Sequence, residues 1–574
     1  MKASTLFPLL NQLKQYSWQG LRADMLAGLT IGVLLIPQGM AYALVAGLPP
    51  IYGLYGGLIP LLIYALMGSS RYLSVGPVAL LSLLSLAAVV PFAEPGTADF
   101  ISLSISLALL SGIIQVLMGI MRLGFIMNFL SKPVINGFTS AAALIIAFSQ
   151  LRALTGIQLN RSSLLHEILL DLMANFTQVH PLTLAIGLVS VLSLLLQKKY
   201  LPKVPGPLIL VVVAIGLSGA FHIDQLGVKV VGSIPAGLPW FSFPDISLAT
   251  IRSLFPMALT IALISFVESM AISRSLPKKD ELRSNQELLS LGLSKVIGAF
   301  FQSYVNTGSF SRSVISHQAG THSSLAGLFA AFLVGTCLLF FTQVFYFLPQ
   351  AALGALILVS VIKLVDVRFA RKLWQSQRED FYMLLATFVS TLALGIQYGI
   401  LIGVVLSLVL VVYHSAYPHA AVLGKIPGTR HFRNIKRFAE AEQREDVLIL
   451  RFDAQLFYAN ADFFQDWIRR KVKEKGNPLK LVVLNGEAIH SVDATALQAL
   501  DEITKELEEL EIQFYFAAFI GPVRDSLHRF GFMEKMGRDH FYLHVSDALE
   551  AFDAHMTGMK PPIQPRASQV KKKS

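Results

Sequence analysis

Cysteine is almost absent from this sequence: Cys337 is the single one, and it lies inside an apolar run. One cysteine excludes an internal disulfide and a thiolate metal cluster. Charged residues are scarce as well, at 14% of the 574 residues, whereas 54% are hydrophobic. A chain this long and this apolar cannot be a single soluble domain. The composition indicates a polytopic α-helical membrane protein.

Long apolar runs produce this composition, and several are long enough to cross a bilayer. The first run lacks the short apolar core and the cleavage site of a signal peptide, so we expect it to remain as a span. The long runs cover residues 26–45, 103–120, 182–196, 254–273, 325–347, 383–394 and 401–412, and shorter ones cover 77–90 and 207–217.

Acidic residues are fewer than basic ones, which gives a net charge of +11. The lysines and arginines cluster in alternate loops between the apolar runs, and such loops lie on the cytoplasmic side of membrane proteins. The opposite side receives mainly Arg152, Arg161 and Lys229. The asymmetry predicts about fourteen segments in the cell inner (plasma) membrane, with both termini cytoplasmic. The lipid bilayer is therefore an expected partner, and nucleic acid is not.

A polar stretch interrupts the apolar region at residues 306–313, which read Asn-Thr-Gly-Ser-Phe-Ser-Arg-Ser. Backbone at membrane depth must be hydrogen-bonded, so an interrupted segment survives there only when it is buried in protein or lines a cavity. A helix that begins near Ser309 would direct free N–H groups and a positive dipole end at whatever precedes it. With Arg312 one turn later, the stretch predicts an anion site, and an ordinary surface loop is the alternative.

The two halves of the apolar region are weakly similar to each other. The span with Gln38 and Tyr42 is followed by Ser74-Val75-Gly76-Pro77, and the span with Glu268 is followed at a similar distance by Ser309. Interrupted segments at corresponding positions indicate a midplane site between inverted repeats. Proline is favoured at the first helical position, so we expect a helix to open at Pro77.

The character of the sequence changes after residue 416. Three β-like runs, at 447–452, 481–484 and 512–517, alternate with an amphipathic helical pattern at 494–510. This alternation implies a small, mostly parallel sheet covered by helices. The predicted division is a cytoplasmic segment 1–24, a transmembrane domain 25–416, a basic linker 417–442, an α/β domain 443–555 and a disordered basic tail 556–574.

Several motifs resemble those of the SulP family of sulfate permeases and related anion transporters. The signature Pro50-Ile51-Tyr52-Gly53-Leu54-Tyr55-Gly56-Gly57 is followed by Gly68-Ser69-Ser70-Arg71. Residues 36–42, 74–77 and 308–313 are similar too, and 491–495 resembles part of a STAS domain. The resemblance implies two inverted repeats of about seven segments, a core domain that moves against a gate domain, and a homodimer.

The resemblance also implies an anion pocket. Two facing helix ends, serine hydroxyls and a glutamine amide can hold a small oxyanion, while Tyr42 and Phe310 close the cavity. Arg312 would supply positive potential, and the alternative is that it pairs structurally with Glu268 or with backbone carbonyls. The substrate-binding residues carried over are Gln38, Tyr42, Pro77, Val78, Ser309, Phe310, Ser311 and Arg312.

Glu268 is a second charged residue within the apolar region. A carboxyl group in a span can bind H⁺ or a cation, which removes the cost of burying its charge. In similar transporters an acidic residue at this place is tied to cation coupling. We favour H⁺ because a lone carboxyl group titrates, whereas Na⁺ needs several oxygen ligands. Thr307 and backbone carbonyls could provide such ligands, so Na⁺ stays open; no cofactor and no bound metal are otherwise expected.

Asp493 in the C-terminal domain is first of all a helix N-cap. In related domains of anti-sigma-factor antagonists, an Asp-Ser-Ser motif is phosphorylated on its last serine, and Thr495 occupies that place here. The middle position is Ala494, so the motif is only partly kept. Thr495 is therefore a candidate phosphorylation site near a helix N-terminus.

The function expected from these features is secondary active anion transport, with proton-coupled sulfate uptake as the leading hypothesis. Bicarbonate with Na⁺ and dicarboxylates with H⁺ are alternatives, because the same helix-end geometry holds any small oxyanion. An uncoupled anion channel is an alternative of another class. An enzyme is disfavoured, because no nucleophile with a base, no nucleotide-phosphate loop and no metal-ligand cluster stands out in the sequence.

Overall fold

The computed structural model describes residues 7–13, 16–125, 131–157, 164–200, 206–276 and 282–557. Arg161 and nearly all of the predicted tail at 556–574 lie outside these residues. The chain divides into two compact units, Met1–Ser407 and Leu408–Ser574.

The first unit is helical. Its first ten helices are α1 (Pro8–Gln12), α2 (Trp18–Val45), α3 (Pro50–Met67), α4 (Ala79–Val89), α5 (Ala98–Ile120), α6 (Lys132–Ser149), α7 (Leu151–Thr155), α8 (Leu165–Ala174), α9 (Pro181–Tyr200) and α10 (Gly206–Phe221). The next eight are α11 (Leu248–Ser275), α12 (Ser284–Phe300), α13 (Phe310–Gln318), α14 (Leu325–Phe340), α15 (Gln350–Val361), α16 (Val367–Ser376), α17 (Arg378–Leu394) and α18 (Ile396–Ala416), the last of which runs on past Ser407.

Six helical stretches of the described residues are long and apolar enough to cross a membrane. Among them is α3, which is not one of the apolar runs expected from the sequence. Further apolar helices, α4, α10 and α14 among them, are shorter. The architecture is that of a multi-pass helical membrane protein, and the total of about fourteen segments stays a prediction.

The order of elements repeats in the two halves of the unit. α2 and α11 are both 28 residues long, and each is followed by a second helix, a two-residue strand and a short helix. The strands are β1 (Val75–Gly76) before α4 and β2 (Thr307–Gly308) before α13. They pair antiparallel, which satisfies backbone groups at the two interruptions. The predicted interrupted segments are thus confirmed as broken helices that meet each other.

Glycines of α3 allow the neighbouring elements to approach closely. A Cβ at Gly53 would lie 2.0 Å from the carbonyl oxygen of Gly39 in α2, and one at Gly56 would lie 2.9 Å from Pro77 Cγ. Such contacts leave no room for a side chain. The signature motif therefore packs α2 and the start of the broken segment against one helix.

The second unit contains a six-stranded sheet in the order β4-β3-β5-β6-β7-β8. β5 to β8 are parallel, and β3 is antiparallel to both of its neighbours. The strands are β3 (Ala420–Lys425), β4 (Phe432–Asn434), β5 (Val447–Phe452), β6 (Leu481–Asn485), β7 (Gln513–Ala517) and β8 (Phe541–Tyr542). The helices are α19 (Ala461–Lys475), α20 (Ala494–Glu509), α21 (Gly521–Arg529), α22 (Phe532–Met536) and α23 (Val545–Met556).

Alternation along β5 explains why helices cover both faces of this sheet. Leu448 and Leu450 join a core with α19 and α20, whereas Val447 and Ile449 join a second core with α23. The predicted mostly parallel α/β sheet is confirmed. The stretch expected to be a basic linker is in part folded, because β3 and β4 lie within residues 417–442.

Candidate functional site

The two short helices begin where β1 and β2 cross. α13 begins at Phe310, with Ser309 as its N-cap residue, and α4 begins at Ala79, with Val78 as its N-cap residue. Neither N-cap residue caps its helix with a side-chain hydrogen bond. The first-turn N–H groups of both helices are therefore left for another acceptor, and both positive dipole ends lie at the crossing.

Arg312 lies in the first turn of α13 and is completely buried. Its guanidinium group donates to Ser74 Oγ at 3.3 Å, to Gln38 Oε1 at 3.4 Å and to the Pro77 carbonyl oxygen at 3.2 and 3.3 Å. All of these acceptors are neutral. Within the described residues Arg312 has no ion pair, so the alternative of a pairing with Glu268 is wrong, whereas the pairing with a backbone carbonyl is observed. A full positive charge at two positive helix ends makes a site that attracts an anion.

Pro77 has a different place from the one expected. α4 begins two residues after it, so Pro77 is not the first helical residue. The reason is that the backbone is held extended by the pairing of β1 with β2 immediately before it. The proline contributes a carbonyl group that orients Arg312, and Val78 follows as a buried residue.

Gln38 and Tyr42 lie one turn apart on α2 and are both nearly buried, with 7% and 6% exposed. The Gln38 amide oxygen faces Arg312, which leaves the amide N–H groups as donors. Phe310 is 52% exposed, and Ser311 beside it is exposed too. The two aromatic side chains expected to close the cavity thus differ greatly in exposure.

Thr307 hydrogen-bonds to α11 on the other side of the crossing. Its hydroxyl group donates to the Ser265 carbonyl oxygen at 2.8 Å and lies 2.9 Å from Ser269 Oγ, which in turn accepts from Gly308 N at 3.0 Å. These bonds fix β2 against α11. The Thr307 hydroxyl group therefore already has hydrogen-bond partners. In the part of the chain that the structure describes, no set of unpaired oxygen atoms surrounds it as ligands for a cation.

A buried lysine, which the sequence analysis did not single out, lies behind this network. Lys295 of α12 is completely buried, and its ammonium group donates to Gln115 Oε1 at 2.8 Å and to Ser265 Oγ at 3.0 Å. Gln115 also donates to Ser265 Oγ at 2.7 Å. A lysine in the apolar second half of α12 was the signal that could have revealed it.

Glu268 lies on α11, one residue before Ser269. Its side chain is half-buried, and its Oε2 atom is buried without a hydrogen-bond partner among the described residues. A carboxyl oxygen in that position is costly as a bare charge. Binding a proton or a cation would remove the cost.

Two completely buried carboxylates of the unit, Glu287 and Asp24, accept hydrogen bonds from several donors. Glu287 accepts from Ser69 N at 2.7 Å, Ser69 Oγ at 2.6 Å and the Tyr64 hydroxyl at 2.9 Å. Asp24 accepts from His322 N at 2.6 Å and from Ser323 N at 3.2 Å. Each of these carboxylates fixes a loop by its hydrogen bonds. Glu287 fixes the motif at residues 68–71, which contains Ser69. Glu268 differs from both because its Oε2 atom lacks such donors.

In the second unit, Asp493 is the N-cap of α20, as predicted. Its carboxylate accepts from Ala496 N at 2.8 Å and from Tyr458 N at 2.9 Å. Thr495 is exposed in the first turn of the same helix. Its hydroxyl group is accessible, and its phosphorylation stays a prediction.

Comparison with known proteins assigns the chain to a family. The sulfate permease family model matches residues 21–387, and the STAS domain model matches residues 438–548. The chain belongs to the sulfate permease family. The permease domain contains the crossing with Arg312, and the STAS domain contains α20.

Relatives of this permease match it over most of their length. Sulfate transporter 4.1, chloroplastic, of Arabidopsis thaliana is 37% identical over 568 residues, which cover 95% of this chain and 82% of the relative. A probable sulfate transporter of Mycobacterium tuberculosis (strain CDC 1551 / Oshkosh) is 35% identical over 548 residues, which cover 95% and 98%.

A solved structure has the same fold. The murine Solute Carrier 26 family member A9 anion transporter, in the inward-facing state, superposes with a TM-score of 0.87 at 27% identity and covers 96% of this chain and 94% of that one. The permease is therefore a multi-pass membrane transporter with a C-terminal STAS domain.

Proposed function

We propose that this permease imports sulfate by secondary active transport, with the anion held at the crossing of β1 and β2 and exposed alternately to the two sides of the membrane. The names of both relatives described above support sulfate as the substrate. The structural neighbour, an anion transporter, supports the wider class.

The observation that carries the proposal is the environment of Arg312. The guanidinium group is completely buried, sits at two uncapped helix N-termini, and donates only to neutral acceptors in the described part of the chain. A buried charge without a counter-ion is costly. A bound divalent oxyanion would provide the missing charge and would accept from first-turn N–H groups, the guanidinium group and the Gln38 amide.

We propose H⁺ as the coupling ion, with Glu268 as the proton carrier. Its unpartnered Oε2 atom is suited to a protonated carboxyl group when the anion crosses, and release of the proton on the far side would drive accumulation. In this scheme the Glu268 carboxyl group loses its proton only where water or a new hydrogen-bond donor can stabilise the carboxylate.

Two contacts argue against Na⁺ at Thr307. Its hydroxyl group already donates to Ser265 O, and the Lys295 ammonium group lies 3.0 Å from Ser265 Oγ in the same network. A fixed ammonium group repels a second cation and uses oxygens that a sodium ion would need. These contacts favour proton coupling through Glu268.

The proposed orientation places both termini in the cytoplasm of a plasma membrane, supported by the basic loops, and the homodimer remains part of the proposal. One relative is named as chloroplastic, so the identity of the membrane needs a test of its own. Localisation of a tagged full-length chain in its native cell would decide the membrane.

Uptake of radiolabelled sulfate into proteoliposomes tests the function. An inward H⁺ gradient is applied first and an inward Na⁺ gradient second, with unlabelled bicarbonate and fumarate as competitors. Accumulation above equilibrium with the H⁺ gradient alone supports the proposal. Absence of sulfate uptake under both gradients would contradict it and direct attention to the competitor that binds.

Glu268→Gln separates coupling from binding. The amide cannot release a proton, so we expect downhill exchange of sulfate to persist while accumulation driven by the H⁺ gradient is lost. Glu94→Gln, at an exposed position in the same unit, is the matched control and should accumulate sulfate normally. Unchanged accumulation in Glu268→Gln would exclude this residue as the proton carrier.

A further inference from the structure

A large cavity lies beyond the crossing, next to the last turns of α2 and α4. Its volume is about 620 Å³, and its walls include Leu44 and Val45 of α2 and Leu83 and Leu86 of α4. Leu83 follows the first residue of α4 by four positions, about 6 Å along a helix axis. The cavity also reaches Ala41, which lies between Gln38 and Tyr42, so it adjoins the anion site at the crossing and extends from it along α2 and α4.

Among the described residues, the charged side chains that line this cavity are basic. Arg152 and Lys229 line it together with His180, and the described part of the lining contains no aspartate or glutamate. Arg152 and Lys229 are two of the three basic residues that the sequence places on the less basic side of the membrane. They lie far apart in sequence, and the fold brings both to one cavity. Within the described residues neither has an ion pair.

The backbone and ring groups around these cations are held in place. Gln350 N donates to the Lys229 carbonyl oxygen at 2.9 Å, and Gln350 Nε2 donates to Val230 O at 3.2 Å. Thr183 N donates to His180 Nδ1 at 3.3 Å, and the Thr183 hydroxyl oxygen lies 2.8 Å from the same nitrogen. These bonds fix the Lys229 backbone and the His180 ring beside the cavity, and the exposed Lys229 side chain supplies a positive charge there.

We propose that this cavity is a second anion site, which takes a small dianion with several oxygen acceptors before it enters the crossing. Arg152 offers a planar fork for two oxygens, and Lys229 offers a compact charge. The volume exceeds that of a bare tetrahedral oxyanion, so the ion keeps part of its hydration there. The site rests on the proposed transport function and adds an entry step to it, although binding here requires neither a proton gradient nor Arg312.

Chemical protection of Lys229 tests the site directly. Purified full-length protein is acetylated with an N-hydroxysuccinimide ester, with sulfate, fumarate or chloride at equal ionic strength, and peptides are quantified by mass spectrometry. At ten times the dissociation constant, sulfate should slow acetylation of Lys229 roughly tenfold, because only the unoccupied fraction reacts. Exposed Lys372 is the internal control and should not respond.

The same measurement in Arg312→Gln separates this site from the site of the proposed function. Protection of Lys229 should persist there and disappear in Arg152→Gln. Equal acetylation in sulfate and chloride would overturn the proposal, and so would protection that is lost in Arg312→Gln but kept in Arg152→Gln. Fumarate that protects as well as sulfate would support a general dianion site.

Transport kinetics supply an independent test. Arg152→Gln should raise the apparent KM for sulfate presented on the cavity side by roughly three- to tenfold, with an unchanged maximal rate, because steering charge is removed. The KM for sulfate presented from the other side should not change. Arg252→Gln is the matched control, since Arg252 is exposed near the start of α11 and does not line the cavity. An unchanged KM on both sides in Arg152→Gln would contradict the proposal.

Discussion

α4 and α13 occupy equivalent places in the two repeats, yet their side chains differ completely. α4 is apolar except for two serines and is buried along nearly its whole length. α13 is polar, and among its residues Arg312, Ser313 and Ser316 are buried while Phe310 is exposed. The two repeats therefore provide two similar helix N-termini, but only one of these helices carries a charged side chain in its first turn. α4 is packed on nearly all sides, whereas α13 carries the charge and exposes its first two residues.

The largest effect is expected when the charge that distinguishes α13 from α4 is removed. Arg312→Gln should reduce sulfate uptake by about a hundredfold or more, because the remaining helix ends cannot neutralise a dianion. Arg312→Lys should retain part of the uptake, since it keeps the charge but loses the fork that reaches both Ser74 and Pro77. Initial rates in proteoliposomes measure both. Uptake at the level of the unaltered protein in Arg312→Gln would contradict the assigned role.

The second prediction concerns the glycines of α3 that hold the first repeat together. Gly53→Ala should destabilise the protein by about 3 kcal/mol or more, because its Cβ would lie 2.0 Å from a backbone oxygen that cannot move away. Gly57→Ala is the matched control, since its Cβ would meet only the flexible end of Leu35 at 3.2 Å. Thermal unfolding followed by size-exclusion chromatography in detergent compares the two. Equal stability of both variants would disprove the close approach of α2 and α3.

The two strands allow a more specific comparison between the repeats. A Cβ at Gly76 would lie 3.1 Å from Arg312 Nη2, whereas one at Gly308 would lie 2.6 Å from Leu73 Cδ1. We expect Gly76→Ala to raise the KM for sulfate roughly tenfold by displacing the guanidinium group, a loss comparable to that of one charged hydrogen bond. Gly308→Ala should mainly lower thermal stability. The reverse pattern is a loss of sulfate affinity in Gly308→Ala alone. It would contradict the placement of the anion site where the Arg312 guanidinium group lies next to β1.

The smallest effect is expected in the STAS domain. Asp493→Ala removes the N-cap of α20 and should cost about 1 kcal/mol locally. Hydrogen exchange of the first turn of α20, measured in the full-length protein, should accelerate roughly fivefold. Thr495→Ala is the control, because that side chain is exposed and should leave exchange unchanged. Equal exchange in both variants would show that the cap does not stabilise this helix.

Several elements of the fold could be predicted from sequence because their signals are local. The strand at Val447–Phe452 and the helix from Ala494 match their expected limits closely, since burial on alternate or helical faces is written in the residue pattern. The helix expected at Pro77 begins later, at Ala79, because strand pairing with a distant segment extends the backbone there. Ser284–Phe300 was not recognised as an apolar segment because Lys295 and several polar residues interrupt its pattern.

The sequence alone determined that this chain is a broken-helix membrane protein with a positive centre and a soluble α/β domain, because composition and periodicity depend on neighbours along the chain. Tertiary structure decided which groups surround each charge. Arg312 contacts Ser74 across 238 positions of sequence, and Lys295 contacts Gln115 across 180. The convergence of Arg152 and Lys229 on one cavity has the same origin. Packing brings distant residues together, and no local pattern records which ones.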